Sequence, residues 1–294
     1  MLGFSPAAWT SGGIVLLLSE RAAAYEEVAE AFAARLGDTR GLRILYADGV
    51  DGRELSALAR EPGLLVPVGL RATRMVAEHV GRQAAVLALM VPRSAYEAIV
   101  WPAALSRRRL SAVFIDQPPG RSLDLIERVL PRARSIGVIH SESAAGLSSL
   151  QQEAARRRLH LRSASIAHTG EVGATLRQLL PEIDVLLLLP DAQVVHANNV
   201  QHVLLTTYRY RVPVIGFSQG LVKAGAIAAI YSTPAQIGAQ GGEIARQWRA
   251  GDGELPAPGH CESYSIGFNH HVARSLGIVL PDEARVRQLM GAEP

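Results

Sequence analysis

Ser218 is the residue of this chain whose neighbours most resemble a catalytic arrangement. It lies in Gly216-Phe217-Ser218-Gln219-Gly220, a G-x-S-x-G pentapeptide that follows the apolar run Val212–Ile215. On a sharp strand-to-helix turn such a serine becomes a nucleophile, provided that a base lies within hydrogen-bond reach and an acid orients the base. Asp252 and then His260, His270 and His271 follow, which satisfies the order nucleophile, acid, base. Two features argue against this reading. No HGGG-type oxyanion loop precedes the pentapeptide. The following LVKAGAIAAIYS is broken at Gly225 and reads as a short loop and another strand, where a hydrolase elbow runs straight into a helix. An α/β serine hydrolase with Ser218 as nucleophile is therefore kept as the alternative.

Metal and phosphate chemistry find less support. His270 and His271 are adjacent, and neighbours on a helix point about 100° apart, so they do not readily share one ion. There is no H-E-x-x-H and no G-x-x-x-x-G-K-[ST]. Gly238-Ala239-Gln240-Gly241-Gly242 lies inside a helical pattern, not after a strand, so it reads as close helix–sheet packing rather than a dinucleotide loop. No metal and no cofactor is expected.

A different set of polar residues recurs directly after apolar runs. Ser19 and Glu20 follow IVLLL, Gly69 follows LLVPV, and Pro92 follows AVLALMV. Ser141 and Ser143 follow IGVI, Asp191 follows VLLLL, Phe217 and Ser218 follow VPVIG, and Tyr231 follows AIAAI. Ser or Asp at such a place serves well as a helix N-cap. Several together, at the carboxyl ends of parallel strands, mark the crevice where α/β sheets bind ligands.

The elements that must position these residues alternate in type. Eleven runs of strand length are expected: Ile14–Leu18, Arg43–Tyr46, Leu64–Val68, Ala85–Met90, Ala112–Ile115, Ile136–Ile139, Leu159–Ile166, Asp184–Leu189, Val212–Phe217, Ala226–Tyr231 and Tyr264–Phe268. Amphipathic segments such as AAYEEVAEAFAARL and SSLQQEAARRR separate them. Continuously apolar strands in a βα cadence imply parallel sheets covered on both faces. Eleven strands exceed one simple doubly wound sheet. The chain is divided into a first lobe of residues 1–118 and 234–294 and a second of residues 119–233. The last strand–helix pair is assigned to the first lobe.

Composition narrows the function classes. The 294 residues are 48% apolar and 19% charged, a globular balance. The net charge is +3, and the arginines are scattered apart from Arg107–Arg109 and Arg156–Arg158, so nucleic acid is not an expected partner. Cys261 is the only cysteine, which excludes an internal disulfide. The longest apolar runs fall far short of the roughly 20 residues that span a bilayer, so no direct membrane insertion is expected. The opening MLGFSPAAWTSGG lacks a basic n-region and a long apolar stretch, so it is not a complete signal peptide.

In order and spacing, five stretches match a known family: IVLLLSERAAAY, RVLPRARSIGVIHSESAAG, VLLLLPD, YRVPVIGFSQGLVKAGAIAAIYSTPAQIGAQGGEIA and IGFNHHVARSLGIVLP. The chain resembles the periplasmic substrate-binding proteins of ABC transporters, of the tryptophan/tyrosine-type family. The resemblance implies a type I periplasmic binding-protein fold: two Rossmann-like α/β lobes with parallel sheets joined by crossover segments. It implies a solute-binding component of an ABC importer, not an enzyme, holding a small-molecule ligand such as an amino acid between the lobes and passing it to ABC permease subunits. It also implies a periplasmic location. Carried over by position, ligand contacts come from Ser19, Glu20, Gly69, Pro92, Ser141, Ser143, Asp191, Phe217, Ser218 and Tyr231. Asp191 suits a ligand ammonium and the two serines at 141 and 143 a carboxylate, with Tyr25, Tyr96, Phe217 and Tyr231 as apolar walls. Val113-Phe114-Ile115-Asp116 departs from the family's "T-G-V-S"-like strand end.

Overall fold

The computed structural model describes residues 13–58, 63–81, 84–101, 106–141, 147–191, 193–195 and 197–293. Its strands are β1 Gly13–Leu18, β2 Leu42–Tyr46, β3 Gly63–Val68, β4 Ala85–Val91, β5 Leu110–Phe114, β6 Ser135–Ser141, β7 His160–Ile166, β8 Val185–Leu187, β9 Val214–Gly216, β10 Ala228–Tyr231, β11 Gly259–His260 and β12 Ser265–Phe268. All eleven expected runs contain a strand. β11 is the addition: two residues in a Gly/Pro-rich stretch show no periodicity, and only pairing with β5 makes them a strand.

The chain folds as two compact units. One holds the described residues up to Ile115 together with Thr233–Glu262; the other holds Asp116–Ser232 and Ser263–Pro294. This corrects the assignment of residues 263–294 to the first lobe. β12 pairs antiparallel with β10, from Ala228↔Phe268 to Tyr231↔Ser265, and so completes the second sheet. Asn269 then secures the turn that follows: its Nδ2 donates to Val222 O (2.8 Å) and its Oδ1 accepts from Val272 N (3.0 Å).

The first sheet has the order β11-β5-β4-β3-β1-β2 and the second β12-β10-β9-β8-β6-β7. Apart from β12 the pairings are parallel. Central strands are buried on both faces, as in β1 and β3, whereas the edge strands β2 and β7 carry exposed positions. Pleating sends alternate residues to opposite sides. Ile14, Leu16 and Leu18 join Phe32 and Ile237 on one face, while Val15 and Leu17 join Leu55 and Val76 on the other. The second sheet divides likewise, with Ile136 and Val138 against Leu123 and Ile126, and Ile139 against Leu176 and Val203.

Gly238, Gly241 and Gly242 set the contact of the helix Pro234–Ala250 with its neighbours. A Cβ at Gly238 would come within 2.3 Å of Val28 O, and at Gly242 within 2.5 Å of Phe32 O, on the helix Ala23–Leu36. At Gly241 it would meet Leu89 of β4 at 2.6 Å. The expected helix–sheet packing is thus only one of three such contacts, and the other two bring helix backbones together.

Candidate functional site

In the first unit, β1 and β3 are neighbours, yet the helices that follow them cover opposite faces of the sheet. Val28 and Phe32 of Ala23–Leu36 pack with Leu16; Ala72 and Val76 of Leu70–His79 pack with Leu17. Such a reversal opens a crevice beyond the carboxyl ends of the two strands. Ser19 and Gly69 occupy those ends. Ser19 Oγ donates to Val68 O (2.8 Å) and accepts from Ala72 N (3.0 Å), tying β1, β3 and the following helix together. Gly69 has φ +86°, and a Cβ there would stand 2.7 Å from Ser19 Oγ and 2.9 Å from the Tyr25 ring. Only glycine fits. Burial, aided by the Glu20 charge, raises the pKa of the Tyr25 hydroxyl.

Pro92 stands at the end of β4 and begins the short helix Arg93–Glu97. Just before it, Met90 has φ +57° where the β4–β5 register shifts between Leu89 and Val91. A bulge of this kind turns a strand end, and bulges favour functional edges. Tyr96 does not reach the crevice. It is buried against Trp101 and Phe114, with ring centroids 5.5 and 5.6 Å away, and burial pushes its pKa up to about 12.

The second unit repeats the reversal at β6 and β8. Leu150 and Ala154, on the helix after β6, pack with Ile136 and Val138, whereas Val203 and Leu204, on the helix after β8, pack with Ile139 and Leu186. Ser141 ends β6 and Asp191 follows β8, so sequence positions 50 apart meet. Asp191 Oδ2 accepts from Ser141 N (2.8 Å) and Ser141 Oγ (2.7 Å). Its Oδ1 accepts from Gln193 N (2.9 Å) and, more weakly, Val194 N (3.4 Å). Burial raises the carboxyl pKa, but the donors from Ser141, Gln193 and Val194 outweigh it and leave the pKa below the ordinary value. Asp191 is therefore ionised at neutral pH. Among the described residues no cation pairs with it.

This pairing changes the expected division of labour. The amide and hydroxyl of Ser141 are both spent on Asp191 and are not free for a ligand carboxylate. Ser143 lies outside the described residues. Phe217 packs against the core of the second unit, and Tyr231, at the end of β10, has its pKa raised by burial against an opposing effect of Arg287. Glu20 is exposed.

Ser218 is a helix cap. Its Oγ accepts from Leu221 N (3.2 Å) and starts the six-residue helix Gln219–Ala224, which ends at Gly225 before β10. One histidine that a triad could use, His270, lies at the other edge of the second sheet. His270 follows β12, and antiparallel pairing puts Phe268 opposite Ala228, at the start of β10. Ser218 lies beyond the carboxyl end of β9, so the length of a strand, about 10 Å for four residues, separates the two sheet edges. His270 Nε2 is engaged with Glu283 Oε1 (2.5 Å). Asp252 and His260 belong to the first unit.

Two cations at the first edge escaped the sequence reading. The Arg21 guanidinium lies 3.9 Å above the Tyr46 ring, and Arg71 Nη1 is 3.5 Å from Ser19 O, at the long limit of a hydrogen bond. Their signal was available: Arg21 and Tyr46 flank strand ends, and Arg71 stands two residues after Gly69.

The three places where the chain passes between units are joined by side chains. Gln117 Nε2 donates to Ser232 Oγ (2.9 Å), Ser232 Oγ donates to Ser263 O (2.8 Å), and Arg121 Nη1 donates to Gln117 Oε1 (2.9 Å). Arg121 also stacks 4.2 Å over the Tyr264 ring.

Residues 116–288 match the family described as ABC transporter substrate binding protein. The chain belongs to this family. Over 142 residues it is 26% identical to a tyrosine-binding protein of Clostridioides difficile; the match spans 46% of this chain and 41% of that protein's length. A ligand-free, open structure of a Clostridium difficile substrate binding protein with adhesive properties superposes with a TM-score of 0.70 at 18% identity, covering 92% of this chain and 96% of that one. An ABC domain from Streptococcus pneumonia, in complex with L-Trp, superposes at 0.67 with 14% identity, covering 93% and 97%. The fold is that of the type I periplasmic binding proteins. Members of this family are substrate-binding transport proteins, not enzymes, in agreement with the capping role of Ser218. Among the described residues no helix is long and apolar enough to cross a membrane.

Proposed function

We propose that this protein is the solute-binding component of an ABC importer and that it takes a small zwitterion, an aromatic amino acid being the first choice. The single observation that carries the reading is the repeated crevice: Ser19 with Gly69 in one unit, Ser141 with Asp191 in the other, each at the reversal of a doubly wound sheet. Asp191 supplies a partly buried negative charge with no cation paired to it among the described residues, which suits a ligand ammonium. Arg71 and Arg21 supply positive charge at the first crevice, which suits a ligand carboxylate. Tyr25, Phe217 and Tyr231 supply apolar area, with Glu20, Pro92, Ser143 and Ser218 at the surrounding strand ends.

In this reading the ligand is taken up at these strand-end crevices, and the Gln117–Ser232–Ser263 chain ties together the second unit's ends of the three crossings. The protein delivers its solute to a permease and works outside the cytoplasm, in the periplasm. The similar proteins that bind tyrosine and L-Trp support the choice of solute.

Calorimetry and thermal unfolding with L-tyrosine, L-tryptophan and L-phenylalanine test this, beside an esterase assay on wild type and Ser218→Ala. Saturable binding without turnover is expected, with stabilisation of about 2.7 kcal/mol at a hundredfold excess over Kd. Ester turnover that Ser218→Ala abolishes, or no response to any amino acid, overturns the reading.

A further inference from the structure

The second unit carries a cavity of about 600 Å³ at the edge of its sheet opposite Ser141 and Asp191. Its walls come from segments that lead into strands: Ala133 precedes β6, Asp184 precedes β8 and Pro213 precedes β9. The antiparallel β12 brings the remaining wall. Because β12 runs against its neighbours, its end and the residues after the helix His270–Ser275 arrive at this edge. Leu276, Ile278 and Leu130 line the cavity and are backed by the core, while Val279 is 92% exposed at its margin.

Two guanidiniums share the lining. Neither the Arg132 nor the Arg211 side chain has a hydrogen bond or ion pair among the described residues. The carboxylate in the lining does not neutralise them. Asp184 Oδ2 is turned to the chain, accepting from Arg134 N (2.7 Å) and Ser135 N (2.8 Å) at the start of β6. The volume lies within the range of roughly 300–1,000 Å³ typical of small-molecule sites. An apolar wall with two unpaired guanidiniums selects a particular ligand chemistry. The guanidinium fork fits a carboxylate, and the apolar wall requires a hydrocarbon body behind it.

We infer that this cavity is a second binding site, for a monocarboxylate with an apolar chain or ring, separate from the crevices at the other edge. The site belongs to one unit alone, so it fills whether or not the crevices hold a solute.

The test uses the full chain with ¹³C-labelled Ile, Leu and Val methyls, titrated with hexanoate, and with hexanol, hexylamine and inorganic phosphate as controls. Hexanoate is expected to shift Ile278, Val279 and Leu276 saturably while leaving Leu187 and Leu188, near Asp191, in place. Replacing both arginines, Arg132→Ala with Arg211→Ala, is expected to weaken hexanoate binding about tenfold and leave hexanol unchanged, as loss of a charge-assisted contact requires. Ile278→Trp fills the cavity and is expected to remove both, with the thermal unfolding of the variant showing that it still folds. Three results overturn the inference: no saturable shift at Ile278 and Val279, shifts confined to the Asp191 edge, or hexanoate affinity indifferent to the arginine replacements. Equal response to phosphate and hexanoate also overturns it, because the apolar wall would then contribute nothing. Failure of amino-acid binding at the crevices leaves each of these outcomes readable.

Discussion

Replacing Asp191 by asparagine keeps its volume but removes its charge and turns one acceptor oxygen into a donor. Four donors reach the carboxylate, at 2.7 and 2.8 Å from Ser141 and at 2.9 and 3.4 Å from Gln193 and Val194. The asparagine oxygen can keep only one of these pairs. The shorter Ser141 pair is the stronger, so the amide nitrogen is left facing Gln193 N. Two charge-assisted bonds then become neutral, a loss of about 1 kcal/mol each, and the bonds from Gln193 and, weakly, Val194 disappear at about 1 kcal/mol more together. Half-exposure of the site lets water replace part of this, so the expected cost is about 2 kcal/mol. Urea unfolding followed by far-UV circular dichroism measures it, with one transition fitted for each unit. The pH dependence is a second check. The folded pKa of Asp191 is depressed, so its stabilisation is complete above the unfolded value of about 3.9 and fades as pH falls through the lower folded value. The gap between wild type and Asp191→Asn should therefore stay level from neutral pH to about pH 5 and narrow in stronger acid. Ser141→Ala should cost about 1.5 kcal/mol alone and less in the Asp191→Asn background. An asparagine variant within about 0.5 kcal/mol of wild type, or a gap that widens in acid, would refute the assignment of Asp191 as the clip between β6 and β8.

Gly238→Ala should lower stability by more than about 2 kcal/mol in thermal or urea unfolding, because its Cβ meets the backbone oxygen of Val28 and the two helices must separate. A neutral result would mean that the helices are not in contact there. Tyr96 should remain protonated in ultraviolet titration until close to pH 12, since burial stabilises its neutral form. Tyr96→Phe should delete that step.

Much of the architecture was legible in local sequence. A strand buried on both faces needs an unbroken apolar run, so IVLLL, LLVPV and VLLLL announced β1, β3 and β8 without knowledge of their partners. The polar residue after each run marks the carboxyl edge, which is why Ser19, Gly69, Ser141 and Asp191 could be named before their surroundings were known. Gly225 likewise told against a hydrolase elbow, since a glycine at φ +137° ends the helix that Ser218 caps.

The tertiary structure decided which of these residues meet, and at which edge. Nothing in β12 itself distinguishes antiparallel pairing with β10 from a return to the first sheet, because a four-residue apolar strand is satisfied by any free edge. That choice moved residues 263–294 to the second unit, placed His270 at the sheet edge opposite Ser218 and built the cavity beside Arg132 and Arg211. The bond between Ser141 and Asp191 has the same origin. Each residue alone looks like a cap or a ligand contact, and only the adjacency of β6 and β8, with their helices on opposite faces, spends one on the other. Apolar periodicity is a property of single segments, whereas pairing and the hydrogen bonds it permits are properties of the assembled sheet.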